Sequence, residues 1–134
     1  MNTKYRKTKT TISFIQYHFV FCPRYRRKIF IHSEIEQRFK HLIKEVCTQL
    51  DFELITLDSG DDYAYVHLSV PPQFSPADVM KHLKGATNRT LRHEFPLLGN
   101  MPTLWTRSYF VSTEPSLSAQ VIHEYVETQK TRYD

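Results

Sequence analysis

The stretch Ala64-Tyr65-Val66-His67-Leu68-Ser69-Val70 alternates with a period of two. It reads as a strand that carries Tyr65 and His67 on one face and Val66 and Leu68 on the other. Working outward, Phe52-Glu53-Leu54-Ile55-Thr56-Leu57 is a second strand, and the polar turn Asp58-Ser59-Gly60-Asp61-Asp62 joins the two into an antiparallel hairpin. Upstream, Ile12 to Cys22 is rich in β-branched and aromatic residues and reads as a strand that Pro23 ends. Downstream, Leu104-Trp105-Thr106-Arg107-Ser108-Tyr109-Phe110-Val111 reads as a fourth strand, with Trp105, Arg107 and Tyr109 opposite Leu104, Thr106 and Ser108.

Three helical patterns lie between and after these strands. Ile35, Phe39, Leu42, Ile43, Val46 and Leu50 recur at helical intervals behind Ser33, with Glu36 at capping-box spacing. Ser75-Pro76-Ala77-Asp78 opens a second helix, with Ser75 as N-cap and Pro76 at the first helical position. That helix buries Val79, Met80, Leu83, Ala86 and Leu91 and carries a polar stripe of Lys81, Lys84, Asn88, Arg89 and Arg92. Solvation is the default explanation of such a stripe. In the last helix, which runs to about Lys130, Tyr125 and Gln129 share a face because they are four apart. The order of strands and helices predicts an α+β sandwich with helices packed on an antiparallel sheet. If the last helix covers the Tyr65 face, a phenol, an imidazole and an amide converge.

With 134 residues the chain is expected to be one domain, 1–134, headed by a basic tail over 1–10. The formal net charge of +4 is concentrated in places such as Arg24-Tyr25-Arg26-Arg27-Lys28. Guanidinium groups fork onto phosphate oxygens and the tyrosine ring can stack on a base, although a solvated loop explains the same residues. Cys22 and Cys47 are too few for a disulfide framework or a zinc cage and read as reduced thiols. No stretch has a signal-peptide core or the length to cross a bilayer, so a cytoplasmic protein without membrane contact is expected. Taken singly, His67 reads as a packed or surface histidine, Tyr125 as core, and His18 as a structural residue held by side-chain hydrogen bonds.

Several segments resemble the single-tyrosine HUH transposases of the insertion-sequence 200/605 family. They are Tyr17-His18-Phe19-Val20-Phe21-Cys22-Pro23-Arg24-Tyr25-Arg26-Arg27, Leu83-Lys84-Gly85 with Arg89 and Phe95-Pro96 following, Leu104 to Thr113, and Tyr125-Val126-Glu127-Thr128-Gln129. The resemblance implies a ferredoxin-like or RRM-like core, a homodimer, and recognition of imperfect hairpins in single-stranded DNA at transposon ends. It implies that Tyr125 attacks the DNA phosphate, leaving a 5′-phosphotyrosine and a free 3′-hydroxyl. It also implies a divalent metal, magnesium or manganese, held by the two histidines of the HUH strand and by a glutamine one turn past the tyrosine. Carried across, His67 and Gln129 become metal ligands, and Tyr65 stands at the first histidine of the motif, preceded by Ala64 where the family has an acidic or amide residue.

A neutral phenol is a poorer metal ligand than an imidazole, and the phenol of Tyr125, with a pKa near ~10, needs help to attack at neutral pH. Two functions follow: a transposase that cuts and rejoins single-stranded DNA, or a relative that binds hairpin DNA or RNA without cleaving it. In the second, Arg24, Arg26, Arg27, Lys84, Arg89 and Arg92 carry the binding. Asp61 or Asp62 completing the metal site, or Tyr65 acting as a nucleophile, are further readings of the substitution. An unrelated RRM-like RNA binder is disfavoured because the chain lacks the aromatic RNP pattern.

Overall fold

In the computed structural model, which describes residues 5–133, the chain builds a short hairpin, a four-stranded sheet and three helices. In order these are β1 (Arg6–Lys7), β2 (Ile12–Ser13), β3 (Gln16–Phe21), α1 (Ser33–Leu50), β4 (Glu53–Gly60), β5 (Tyr63–Ser69), α2 (Pro76–Glu94), β6 (Phe110–Ser112) and α3 (Ala119–Tyr133). The sheet is antiparallel in the order β4-β5-β3-β6, and β1 pairs with β2 apart from it. The register places His18 opposite His67 and Val20 opposite Tyr65.

Period-two alternation divides the sheet cleanly. Phe19 and Phe21 of β3, with Ala64, Val66 and Leu68 of β5, are fully buried in the larger core against Phe39 and Ile43 of α1 and Leu83 and Leu91 of α2. The alternate residues Val20 and Cys22 pack with Ile122 and Val126 of α3, and Tyr65 and Tyr125 border that smaller core. Thus α1 and α2 cover one face, and α3 covers the face that carries Tyr65. This is the α+β, ferredoxin-like arrangement anticipated from the sequence.

Local chemistry explains the helix starts. Ser75 caps α2 by accepting from the Asp78 amide, and Asp78 returns the bond to the Ser75 amide. Those bonds hold the Asp78 carboxyl below the usual carboxylate range. α1 differs from expectation: His32 is its N-cap, Ser33 is already helical, and Glu36 accepts from Ser59 Oγ at 2.6 Å instead of closing a capping box.

Three strand boundaries also move. The first long strand is confined to Gln16–Phe21, while Ile12–Ser13 pairs back onto Arg6–Lys7, and Arg6 is tied to Asp51 and to the Ser69 carbonyl. Part of the expected basic tail is therefore folded, and residues 1–4 lie outside the described residues. The polar turn tightens to Asp61-Asp62, because Asp58, Ser59 and Gly60 all pair with β5.

The expected strand over 104–111 survives only as Phe110–Ser112. Trp105 instead enters the core, with its ring 4.8 Å from Phe21 and its Nε1–H donating to Thr87 Oγ1 at 2.9 Å. Burying the indole outweighs continued pairing there, and a single bridge between Pro23 and Trp105 remains. Among the described residues, no helix is long and apolar enough to cross a membrane.

Candidate active site

The α3-side face of the sheet carries a stack of polar rings. His18 lies parallel to His67 with ring centroids 3.8 Å apart, and Tyr65 lies beyond His18 at 5.9 Å. His18 is 2% exposed and both of its nitrogens are used. Its Nε2 meets the Glu114 carbonyl at 2.8 Å, so Nε2 carries the proton. Nδ1 is then an acceptor, and the Tyr65 hydroxyl donates to it at 2.7 Å. His67 Nε2 faces Gln16 Oε1 at 3.0 Å and donates to it. His18 is the hydrogen-bonded structural residue expected from the sequence: it bonds to the Tyr65 hydroxyl and the Glu114 carbonyl, and His67 stacks on its ring.

Burial, with His18 beside it, holds the His67 imidazole below its usual value of 6.5. Burial also pushes the Tyr65 phenol up. For His67 the unfolded chain binds a proton that the folded chain refuses, so stability falls as pH drops below that value. Thermal melting followed from about pH 7.5 to about pH 5 should show this decline, and His67→Gln should flatten it. An unchanged slope in that variant would assign the decline to other groups.

Tyr125 and Gln129 lie on the α3 side of the same sheet but engage a different partner. Gln129 is 1% exposed, and its Oε1 accepts from Ser108 Oγ at 2.6 Å. Because Ser108 has committed its proton, the Tyr125 hydroxyl, 3.3 Å from the same oxygen, is the donor of that pair. The Tyr125 ring also packs on Phe110 with centroids 5.8 Å apart. Helix α3 thus joins phenol and amide at Ser108, while imidazole and second phenol are joined to β3. The sheet face is shared, but the four side chains fall into three hydrogen-bonded groups: Tyr125 with Gln129 at Ser108, Tyr65 at His18, and His67 at Gln16.

Ser108 is itself held by Lys84. The Lys84 ammonium donates to the carbonyls of Thr106, Arg107 and Ser108 at 2.7, 3.3 and 3.1 Å and lies 5.4 Å from the Tyr109 ring centroid. Burial pulls its pKa down to about 8, and the three carbonyl oxygens make a charge tolerable there.

Among the other cations expected to meet nucleic acid, Arg26 pairs with Asp62 at 2.8 Å and with Glu127 at 3.7 Å. Arg24 reaches Thr103 and lies over the Tyr25 ring. Arg27 and Arg89 are exposed, and Arg92 is partly buried. Ser108, Gln16 and the Glu114 carbonyl were not singled out in the sequence. Ser108 does sit two residues from Thr106 in a polar alternation, but nothing in that pattern connects it to α3.

The donors that a divalent metal of the HUH type would use here are one imidazole, one amide oxygen and, in place of the second imidazole, the Tyr65 phenol. Tyr65 donates to His18, His67 is bonded to Gln16, and Gln129 accepts from Ser108. Among the described residues no three His, Cys, Asp or Glu side chains form a metal-holding group. Asp62 is bound by Arg26, so it does not complete one. One imidazole, one amide oxygen and a neutral phenol are a poorer donor set for the ion than two imidazoles and an amide.

A four-stranded antiparallel sheet with two helices on one face and a tyrosine-bearing helix on the other defines an α+β, ferredoxin-like protein. The family described as Transposase IS200 like matches residues 11–129, and the chain belongs to that family. It is 30% identical over 121 residues to the ISDra2 transposase TnpA of Deinococcus radiodurans, covering 86% of this chain and 84% of that protein. It is 27% identical to the transposase for insertion sequence element IS200 of Salmonella typhimurium, covering 85% and 76%. A crystal structure of a candidate transposase from Deinococcus radiodurans R1 superposes with a TM-score of 0.84 at 29% identity, over 92% of this chain and 97% of that one. A REP-associated tyrosine transposase bound to a REP hairpin shares the fold, with a TM-score of 0.57 at 13% identity over 96% and 75%.

Proposed function

We propose that this transposase-family chain binds hairpin-forming single-stranded DNA, and that Tyr125 is its nucleophile in a cleavage step that Tyr65 has made slow. The observation that carries the reading is the Tyr65 phenol itself, bonded to His18 where the motif has its first histidine, because a neutral phenol is a poor metal donor. Recognition rests on cations outside that network, chiefly Arg24, Arg27 and Arg89, and a neighbour of the same fold is bound to a REP hairpin.

In the cleavage step the phenol oxygen of Tyr125 forms a bond to phosphorus while the bond to the 3′-oxygen breaks. The phenol proton leaves through solvent and the 3′-oxygen leaves as a hydroxyl. Ser108 orients the phenol, and Gln129 holds Ser108 in its accepting role. The phenol has a high intrinsic pKa, so without added electrostatic help its attack is slow.

Binding is tested with a labelled hairpin-bearing single strand from the flank of the chain's own gene. Affinity should fall steeply between about 50 and about 200 mM salt, as expected when several phosphates are neutralised. Binding that does not depend on salt, or that an unstructured strand of random sequence matches, would rule out hairpin recognition by these cations.

A further inference from the structure

Gly85 lies in the interior of α2, exposed, at a position where the fold has no need of glycine. A β-carbon added there meets nothing within 4 Å, and its backbone is not left-handed. Glycine weakens a helix relative to alanine, so this position carries a cost without a return inside the chain. Such a residue is explained when something from outside approaches the helix backbone closely.

The surroundings show what that is. Gly85 and Asn88 line a groove of about 390 Å³ whose other wall is Thr106 and Arg107 and whose end is Arg24. The groove runs on to Tyr25. Among the described residues, no carboxylate lines it. Arg107 is exposed and, among the described residues, its guanidinium makes no hydrogen bond or ion pair. The Lys84 ammonium beneath fixes the carbonyls of residues 106–108, so the wall that presents Arg107 is rigid. At the mouth, Tyr25 and Arg26 both take left-handed backbone, with φ of 59° and 48°. Two consecutive residues in that region are costly for side chains other than glycine. Here they leave the Tyr25 ring 52% exposed beside the groove.

We infer that this groove receives an unpaired segment of a DNA strand. Its sugar-phosphate backbone lies on the Gly85 surface of α2, its phosphates lie between Arg24 and Arg107, and a base stacks on Tyr25. An unpaired strand is specified because a base must be free of its partner to stack on a side chain. This inference rests on the DNA-binding reading given above and assigns the part of the surface that reads single strand.

The test is fluorescence anisotropy with two probes, a hairpin carrying a single-stranded flank and the same hairpin cut blunt. Gly85→Ala should raise the melting temperature, because alanine is the better helix former, and weaken binding to the flanked probe. Gly85→Leu should weaken that binding further, by ~10-fold or more, and Arg107→Ala should weaken it as loss of a phosphate contact does. The blunt hairpin should bind wild type and Gly85→Leu alike. Binding of the flanked probe to Gly85→Leu as tightly as to wild type overturns the inference, and so does equal loss on both probes. Failure of wild type to bind either probe overturns the DNA-binding reading as well.

Discussion

Tyr65→His should form a covalent adduct with its single-stranded DNA in manganese or magnesium at ~100-fold the wild-type rate, the scale on which ligand and outer-shell changes alter such sites. Two effects act together. Histidine supplies an imidazole where the present phenol is neutral and a poor donor. It also removes the hydroxyl that now donates to His18 Nδ1 at 2.7 Å, which ends the bond that ties Tyr65 to β3. The same loss should lower folding stability by about 1 kcal/mol, the usual net value of one hydrogen bond.

Gain of cleavage and loss of stability are therefore expected in one variant. Tyr65→Phe separates them: it should lose the stability and gain no adduct. Adding Tyr125→Phe to Tyr65→His should abolish the adduct. A denaturing gel reads the covalent band, and calorimetric titration with manganese reads the metal directly, with binding at least ~10-fold tighter in Tyr65→His than in wild type. Equal adduct in wild type and Tyr65→His would show that the wild-type site works as it stands, and would end the claim that Tyr65 slows it.

The division between what the sequence revealed and what it concealed follows the range of the interactions. The faces of β5 were legible because a period of two decides them within one strand, and the structure puts Tyr65 and Val66 on the faces so assigned. The Ser75 and Asp78 capping box was legible because its partners are three residues apart. The Ser33 cap had the same spacing, but Glu36 found Ser59 across the fold, a competitor that no local window contains.

The residues from Leu104 to Tyr109 looked like a strand because aromatic and polar residues alternate there. What removes them from the sheet is a tertiary demand, the burial of Trp105 against Phe21 and the Thr87 hydroxyl. The candidate site shows the same limit. Tyr125 and Gln129 could be placed on one helix face, but Ser108 as their shared partner depends on the path of that irregular segment. The His18 contact with Tyr65 depends on a strand register that periodicity does not specify.

Lys84→Met should destabilise the fold by about 3 kcal/mol, because hydrogen bonds to a charged group contribute about 1.5–3 kcal/mol each and the partly buried carbonyls lose their donor while methionine keeps the volume. For a chain of this size the melting temperature should fall by roughly 10 °C. The reason lies in the geometry: one ammonium gathers the carbonyls of residues 106, 107 and 108, a segment with little ladder of its own. Loosening that segment also loosens Ser108, which orients Tyr125 and Gln129. The variant should therefore reduce the adduct formed in the Tyr65→His background, measured at a temperature where both proteins are folded. Lys84→Arg tests whether charge alone suffices. Its planar fork cannot direct three bonds from a single nitrogen, so it should recover only part of the stability. Urea unfolding of the variants decides the matter: a Lys84→Met midpoint equal to that of wild type would mean that Lys84 is spare, and that its charge is available to DNA instead.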